Sequence, residues 1–315
     1  MNILITGGCG YVGTLLTEEL LKDGHKIVVV DLCWFGNFLQ DHPNLTIVKE
    51  DIRNINKIPL NGIETVIHLA NIANDPSVEL NPVLSWEVNV LATQQFADIC
   101  VENGIKQFIY ASSGSVYGVK EEPEVTEELS LVPISVYNKT KMVSERILLS
   151  YKEEMKIHCI RPATVCGWSP RMRLDLTVNM LTFQALKSNR ITVFGGDQTR
   201  PNIHILDMVR VYKHFIEKED INSGCYNAGF ENISVLDIAN EVVKKIPSDI
   251  VVTESNDPRS YRLSSEKLKN TGFKELYNVE YAIEEIQSKF ISGELDDSPE
   301  SYTVEWMKNL NLHKE

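Results

Sequence analysis

Tyr137 and Lys141 stand four residues apart in Tyr137-Asn138-Lys139-Thr140-Lys141. On a helix that spacing puts a phenol and an amine on one face. A free tyrosine titrates near ~10, too high to take a proton at neutral pH. A neighbouring ammonium and an oxidised nicotinamide both favour the phenolate and lower that value. Such a phenol can accept a proton from a sugar hydroxyl while hydride leaves the same carbon, and the amine can hold the nicotinamide ribose. Alone, the pair equally describes an exposed helix face.

A second motif opens the chain. Thr6-Gly7-Gly8-Cys9-Gly10-Tyr11-Val12-Gly13 follows the apolar run Ile3-Leu4-Ile5 and precedes a helical pattern. Gly7 permits a tight turn, Gly10 a close approach to a pyrophosphate, and Gly13 close packing of helix on sheet, with the helix N-terminus aimed at the phosphates. Asp31, at the end of the next β-rich run, is placed to accept hydrogen bonds from adenosine-ribose hydroxyls. A carboxylate there repels a 2′-phosphate and no arginine follows at Leu32 or Cys33, so the expected cofactor is NAD rather than NADP.

Parallel strands must hold these motifs. Residues 2–6, 27–31, 45–49, 65–68, 107–111 and 156–161 are β-rich, with helical patterns over 11–23, 82–102 and 136–153. Alternation of this kind predicts a doubly wound α/β sheet, and ligands of such sheets bind beyond the carboxyl ends of the strands. The run Tyr110–Gly118, rich in serine, lies at one such end. The rhythm then loosens: a helix over 174–187, a strand at 191–194, a helix over 205–217, a strand at 224–227 and a helix over 233–245. The expected organisation is a dinucleotide-binding domain over 1–166, with a return segment near 203–228, and a smaller interleaved substrate domain over 167–315. The tail beyond 293 reads as a mobile end or a docked helix.

The 315 residues suffice for a sizeable core. The net charge of −13 argues against a nucleic-acid partner. The six cysteines form no C-x-x-C pair and no metal-ligand spacing, so reduced thiols in a cytoplasmic protein, and no metal, are expected. No run reaches the ~18 apolar residues of a membrane span. The first apolar run belongs to a strand, which leaves no signal peptide.

Further marks are Asp51-Ile52-Arg53, His68-Leu69-Ala70, Asn89 between Val88 and Val90, Val116-Tyr117-Gly118, Arg161-Pro162, and Arg200 with Ile203–Asp207. In this order the chain resembles the extended short-chain dehydrogenase/reductases, in particular their nucleotide-sugar epimerase and dehydratase branch. The resemblance implies a Rossmann-type domain and a Ser113–Tyr137–Lys141 catalytic triad. It places Asp51 and Ile52 at the adenine and Leu69, Ala70, Asn89 and Pro162 along the cofactor. It makes Asn179 and Arg200 contacts for a substrate diphosphate, for which a planar guanidinium is apt. Ser115, Arg171 and Arg173 are candidates near the sugar or its nucleotide, and Arg259 and Tyr261 for closing the nucleotide site. Asn74 either covers the sugar or caps the next helix. It further implies a homodimer through a four-helix bundle of the helices at 82–102 and 136–153.

The family's 4,6-dehydratases carry acids directly after the catalytic hydroxyl, where this chain has Gly114 and Ser115. The reading that follows is an NAD-dependent nucleotide-sugar 4-epimerase. The alternatives are a C4 dehydrogenase or 4-ketoreductase, of heptoses for example, and a catalytically silent NAD-binding regulator.

Overall fold

The computed structural model describes residues 1–255 and 260–311. A seven-stranded sheet carries the first part of the chain: β1 (Asn2–Thr6), β2 (Lys26–Asp31), β3 (Leu45–Lys49), β4 (Thr65–His68), β5 (Gln107–Ala111), β6 (Lys156–Pro162) and β10 (Gly224–Ala228). Its order is β10-β6-β5-β4-β1-β2-β3, and every neighbouring pair is parallel. Four of the five residues of β1 are buried, as expected of a strand covered on both faces. On one face α1 (Tyr11–Lys22) and α7 (Ile205–Glu217) bury Leu16, Leu20, Met208 and Phe215. On the other, the helices between β4 and β6 bury Phe96, Phe108 and Leu148. The chain winds outward from β1 to β3, then crosses back to β4 beside β1. That reversal opens a crevice beyond Thr6 and His68, the place where ligands of such sheets bind.

Buried polar groups fix the crevice floor. Thr6 Oγ1 lies 2.6 Å from His68 Nδ1 and accepts from Ala70 N at 3.2 Å, while His68 Nε2 lies 2.9 Å from Thr93 Oγ1. Burial pushes this imidazole down to about 3, so it is neutral and ties the strand ends together.

Two expected helices are shorter than their patterns. Residues 136–153 form α5 (Val136–Leu149), and 174–187 become α6 (Thr177–Ser188). The start of α6 is delayed because Leu174 N is held by Ser301 O and Arg173 by Asp175. The single helix over 82–102 is α3 (Pro82–Trp86) and α4 (Thr93–Glu102) joined by a π-helical segment, Glu87–Ala92. Such widened turns cluster at functional sites; this one carries Asn89. Before it, α2 (Asp75–Leu80) is a short helix capped by Asn74.

The rest of the chain adds two small sheets, of whose strands the sequence predicts only the one at 191–194. β7 (Thr164–Cys166) and β11 (Glu231–Ser234) flank β9 (Thr199–His204), and β8 (Arg190–Phe194) pairs with β12 (Asp249–Thr253). α6, α8 (Val235–Lys245) and α10 (Val279–Ile291) enclose a separate apolar cluster that includes Leu181, Ile238 and Ile283. A short α9 spans Glu266–Lys269. The tail docks as α11 (Thr303–Asn309), where Trp306 Nε1 donates to Trp34 O at 2.6 Å. Among the described residues no helix is long and apolar enough to cross a membrane.

Candidate active site

A cavity of about 650 Å³ runs from the end of β2, across the glycine turn, to the mouths of β5 and β6. Gly7, Gly10, Tyr11, Val12 and Gly13 line its floor. Gly7 sits at φ 73°, and a Cβ there would stand 2.6 Å from Ala70 N. At Gly13 a Cβ would meet Gly7 O at 2.3 Å and Gly8 Cα at 2.8 Å. Those neighbours are backbone and cannot step aside. Gly13→Ala is expected to cost about 1–3 kcal/mol of stability by overpacking and to abolish NAD binding, as read from urea unfolding and a cofactor titration.

The end of the cavity where the sequence expects the adenosine is built around Asp31, whose Oδ2 accepts from Cys9 N at 3.0 Å and Oδ1 from Cys33 N at 2.7 Å. A carboxylate has about four acceptor positions, so these bonds orient it and leave capacity for ribose hydroxyls. Asp51 and Ile52 line the wall beside it. Arg53 holds the Asp51 carboxylate through Nε and Nη2 and reaches Glu87 with Nη1. Leu69, Ala70 and Pro162 line the middle, together with Asn71, whose buried amide atoms have no hydrogen-bond partner among the described residues. Glycines that admit no side chain, an oriented carboxylate and an unsatisfied amide fit a dinucleotide.

At the far end stand Ser113, Ser115 and Tyr137. Ser135 starts α5 by accepting from Asn138 N at 3.1 Å, which sets the turn that carries Tyr137. Ser113 and Ser115 hydroxyls are 2.7 Å apart. Burial pushes the Tyr137 phenol up to about 12, and its hydrogen bond with Ser113 acts against that rise. Lys141 does not line the cavity. Its Nζ donates to Ala111 O at 2.7 Å and lies 5.8 Å from the centre of the Tyr137 ring. The amine thus stands behind the phenol ring, one turn along α5, while the Ser113 hydrogen bond is the largest influence acting against the phenol's rise.

Burial instead pushes Lys141 down to about 7, against the pull of Glu145. Below about pH 7 the folded protein bears the full cost of a buried ammonium. As pH rises from about 7 to 10.5 the folded state releases the proton before the unfolded chain does, so this group's contribution makes stability rise across that window. Lys141→Met should flatten that rise. Urea midpoints of the two proteins near ~pH 7 and ~pH 10 isolate the effect, because other titrating groups are common to both.

Two expected contacts turn out to be braces. Asn89 is buried: its Oδ1 accepts from Ile72 N at 2.8 Å, and its Nδ2 donates to Ile72 O and Thr140 Oγ1 at 3.0 and 3.2 Å. It pins the loop after β4 to α5 without reaching the cavity. Asn179 is likewise buried and does not line the cavity. Its Oδ1 accepts from Gly167 N, and its Nδ2 donates to Tyr11 OH and Arg173 O. Tyr11 OH in turn donates to Gly167 O at 2.6 Å, locking the segment before α6 onto the glycine turn.

Arg171, Arg173, Arg200, Tyr261 and Asn74 do line the cavity; Arg259 lies outside the described residues. Asn74 at φ 74° also caps α2, accepting from Ser77 N at 2.9 Å, so its side chain serves the capping reading. Arg173 grips Asp175 with two bonds and its charge reaches the Tyr137 phenol. Arg171 is 4% exposed, stacks on Phe35 at 4.1 Å, and lies close enough to Asp31 to feel its charge. It therefore stands toward the adenosine end. Sequence reasoning missed Trp34, Phe35, Thr303 and Met307 as wall residues. Only the two adjacent aromatics after Asp31 carried a local signal.

A doubly wound parallel sheet with a glycine turn, an oriented carboxylate at the end of β2 and a Ser–Tyr pair over one cavity defines a dinucleotide-dependent enzyme of the short-chain dehydrogenase/reductase class. The profile of the NAD dependent epimerase/dehydratase family matches residues 3–229, and the chain belongs to that family. It is an enzyme of the isomerase or oxidoreductase type, and its cofactor is NAD. It is 32% identical over 253 residues to an uncharacterized UDP-glucose epimerase of Bacillus subtilis, spanning 76% of this chain and 80% of that one. It is 28% identical over 300 residues to the UDP-glucose 4-epimerase of Halalkalibacterium halodurans, spanning 85% and 88%. The solved UDP-glucuronic acid 4-epimerase from Bacillus cereus, in complex with UDP-glucuronic acid and NAD, superposes with a TM-score of 0.80 at 26% identity, covering 93% of this chain and 99% of that one.

Proposed function

We propose that this protein is an NAD-dependent nucleotide-sugar 4-epimerase that works through a transient 4-keto sugar. The observation that carries the reading is the pair of Ser113 and Tyr137 on one cavity wall with Gly114 and Ser115, not acids, directly after the hydroxyl. Asp175, a carboxylate that lines the same cavity, is committed to Arg173. NAD, when bound, supplies the hydride acceptor and donor at C4. Ser113 holds O4, and Tyr137 takes its proton and later returns it. Lys141 steadies the wall behind the phenol through Ala111 O. Arg200 and Tyr261 are assigned to the nucleotide end, and Arg173 to the sugar, where an anionic substituent would suit it.

Two relatives of the chain act on UDP-glucose and UDP-glucuronic acid by name, so those sugars lead the test. UDP-, GDP-, CDP- and dTDP-sugars are incubated with the protein and NAD, and products are followed by NMR. An inverted C4 without lasting NADH is expected. A keto sugar accumulating with NADH would replace epimerisation by C4 dehydrogenation, and no product from any sugar would favour the silent regulator.

The homodimer belongs to the same reading. Val83 and Leu91, on the helical run after β4, are 69% and 54% exposed apolar residues that a four-helix bundle would cover. Light scattering should give twice the chain mass, and Leu91→Glu should halve it; a monomeric wild type would contradict the bundle.

A further inference from the structure

Two thiols and a carboxylate converge where β2 meets the glycine turn. The sulfurs of Cys9 and Cys33 are 3.8 Å apart, and the ligand atoms of Cys9, Asp31 and Cys33 all lie within 4.8 Å of one another. Backbone geometry builds the cluster. Asp31 accepts both cysteine N–H groups, and Cys33 takes a left-handed conformation at φ 53°, which is unfavourable for a residue with a side chain. Thiolates with a carboxylate are a donor set for zinc-class cations. A zinc–sulfur bond is about 2.3 Å, and two such bonds at a tetrahedral angle separate the sulfurs by about 3.8 Å. The thiol pair already has that separation. Burial first, and the Asp31 charge next, push both thiols up, so three acidic groups here oppose one another's ionisation. A divalent charge among them reverses that balance.

We propose that Cys9, Asp31 and Cys33 bind a thiophilic divalent cation of the zinc class, and that this cation and the dinucleotide exclude one another at the adenosine end of the cavity. Two thiol protons pass to solvent as the two metal–sulfur bonds form, and Asp31 supplies the third ligand. Solvent fills the fourth position on the cavity side. Cys9 and Asp31 both line the cavity, so the cation takes the carboxylate that ribose hydroxyls require. The exclusion rests on the assignment of Asp31 to the ribose; the metal site does not.

The test is a Co²⁺ titration of the reduced full chain, without and with saturating NAD, followed by the thiolate-to-cobalt charge-transfer band and by zinc competition. One Co²⁺ per chain is expected, with the band kept in Cys225→Ser. In Cys33→Ser the band should vanish and affinity fall by more than about 10–100-fold, the cost of losing even an outer-shell partner. NADH fluorescence enhancement reports that this variant is folded. No band in the wild type, or a band retained in Cys33→Ser, overturns the site. A band of undiminished amplitude at saturating NAD overturns the exclusion alone.

Discussion

Tyr137→Phe should bind NAD as tightly as the wild type and lose turnover by about 10²–10⁴-fold, the usual worth of a positioned acid–base group. The phenol oxygen is hydrogen-bonded with Ser113 at the cavity wall. Removing it leaves the ring, its packing and the glycine turn in place. The measurement is kcat on the sugar identified by the panel, with NAD affinity from a separate titration. Turnover near the wild-type value would remove Tyr137 from the chemistry. The phenol stands high, at about 12, before cofactor and substrate are present. Positive charge on the nicotinamide ring lowers it when the cofactor binds.

Glu145→Ala should be the most destabilising single change near the site, at about 3–5 kcal/mol, because it strands a buried guanidinium. Glu145 is 1% exposed and Arg161 is 4% exposed. Arg161 donates through Nε and Nη2 to the two Glu145 oxygens, each at 2.8 Å, and through Nη1 to Tyr117 OH at 2.7 Å. Tyr117 OH donates to Asn227 Oδ1 at 2.8 Å, and Ser112 Oγ donates to Glu145 at 2.5 Å. This network joins α5, β6, β10 and the strand end that presents Ser113. The loss should therefore appear both in the urea midpoint and in kcat. Replacing both charges, as in Glu145→Leu with Arg161→Met, should recover part of the stability, since the cost lies in the unpaired charge. Equal loss in the single and double variants would mean that shape, not charge, holds the network.

The parts of this enzyme that sequence makes legible are those whose physics is local. The glycine turn and Asp31 are read from backbone requirements and strand ends, and the Tyr–Lys spacing from helical geometry. Gly7, Gly10, Tyr11, Val12 and Gly13 of the turn line the cavity, as do Asp31 and Tyr137. What local pattern cannot carry is long-range convergence. Asn179 has the right chemistry for a diphosphate, but its amide is consumed by Gly167, Tyr11 and Arg173. Asn89 is turned to Ile72 and Thr140 by a π-helical segment that interrupts a helix whose residues read as continuous. Arg171 reaches the adenosine end through its stack on Phe35, a partner far away in the chain. Met307 and Thr303 reach the cavity because a tail helix docks on Trp34; the sequence offers a docked helix in the tail as one of two readings but carries no signal for where it docks. β7 and β11, with three and four residues, carry too few for a period to register, and β9 between them is interrupted by Pro201.

The central claim is redox chemistry confined to C4 with no net change. The most direct measurement uses a nucleotide sugar deuterated at C4, with protein and NAD, and locates the label in the product by NMR. The account predicts an inverted C4 that keeps its deuterium, because Tyr137 handles only the O4 proton and the C4 label never meets solvent. Inversion with the label washed out to solvent would contradict it.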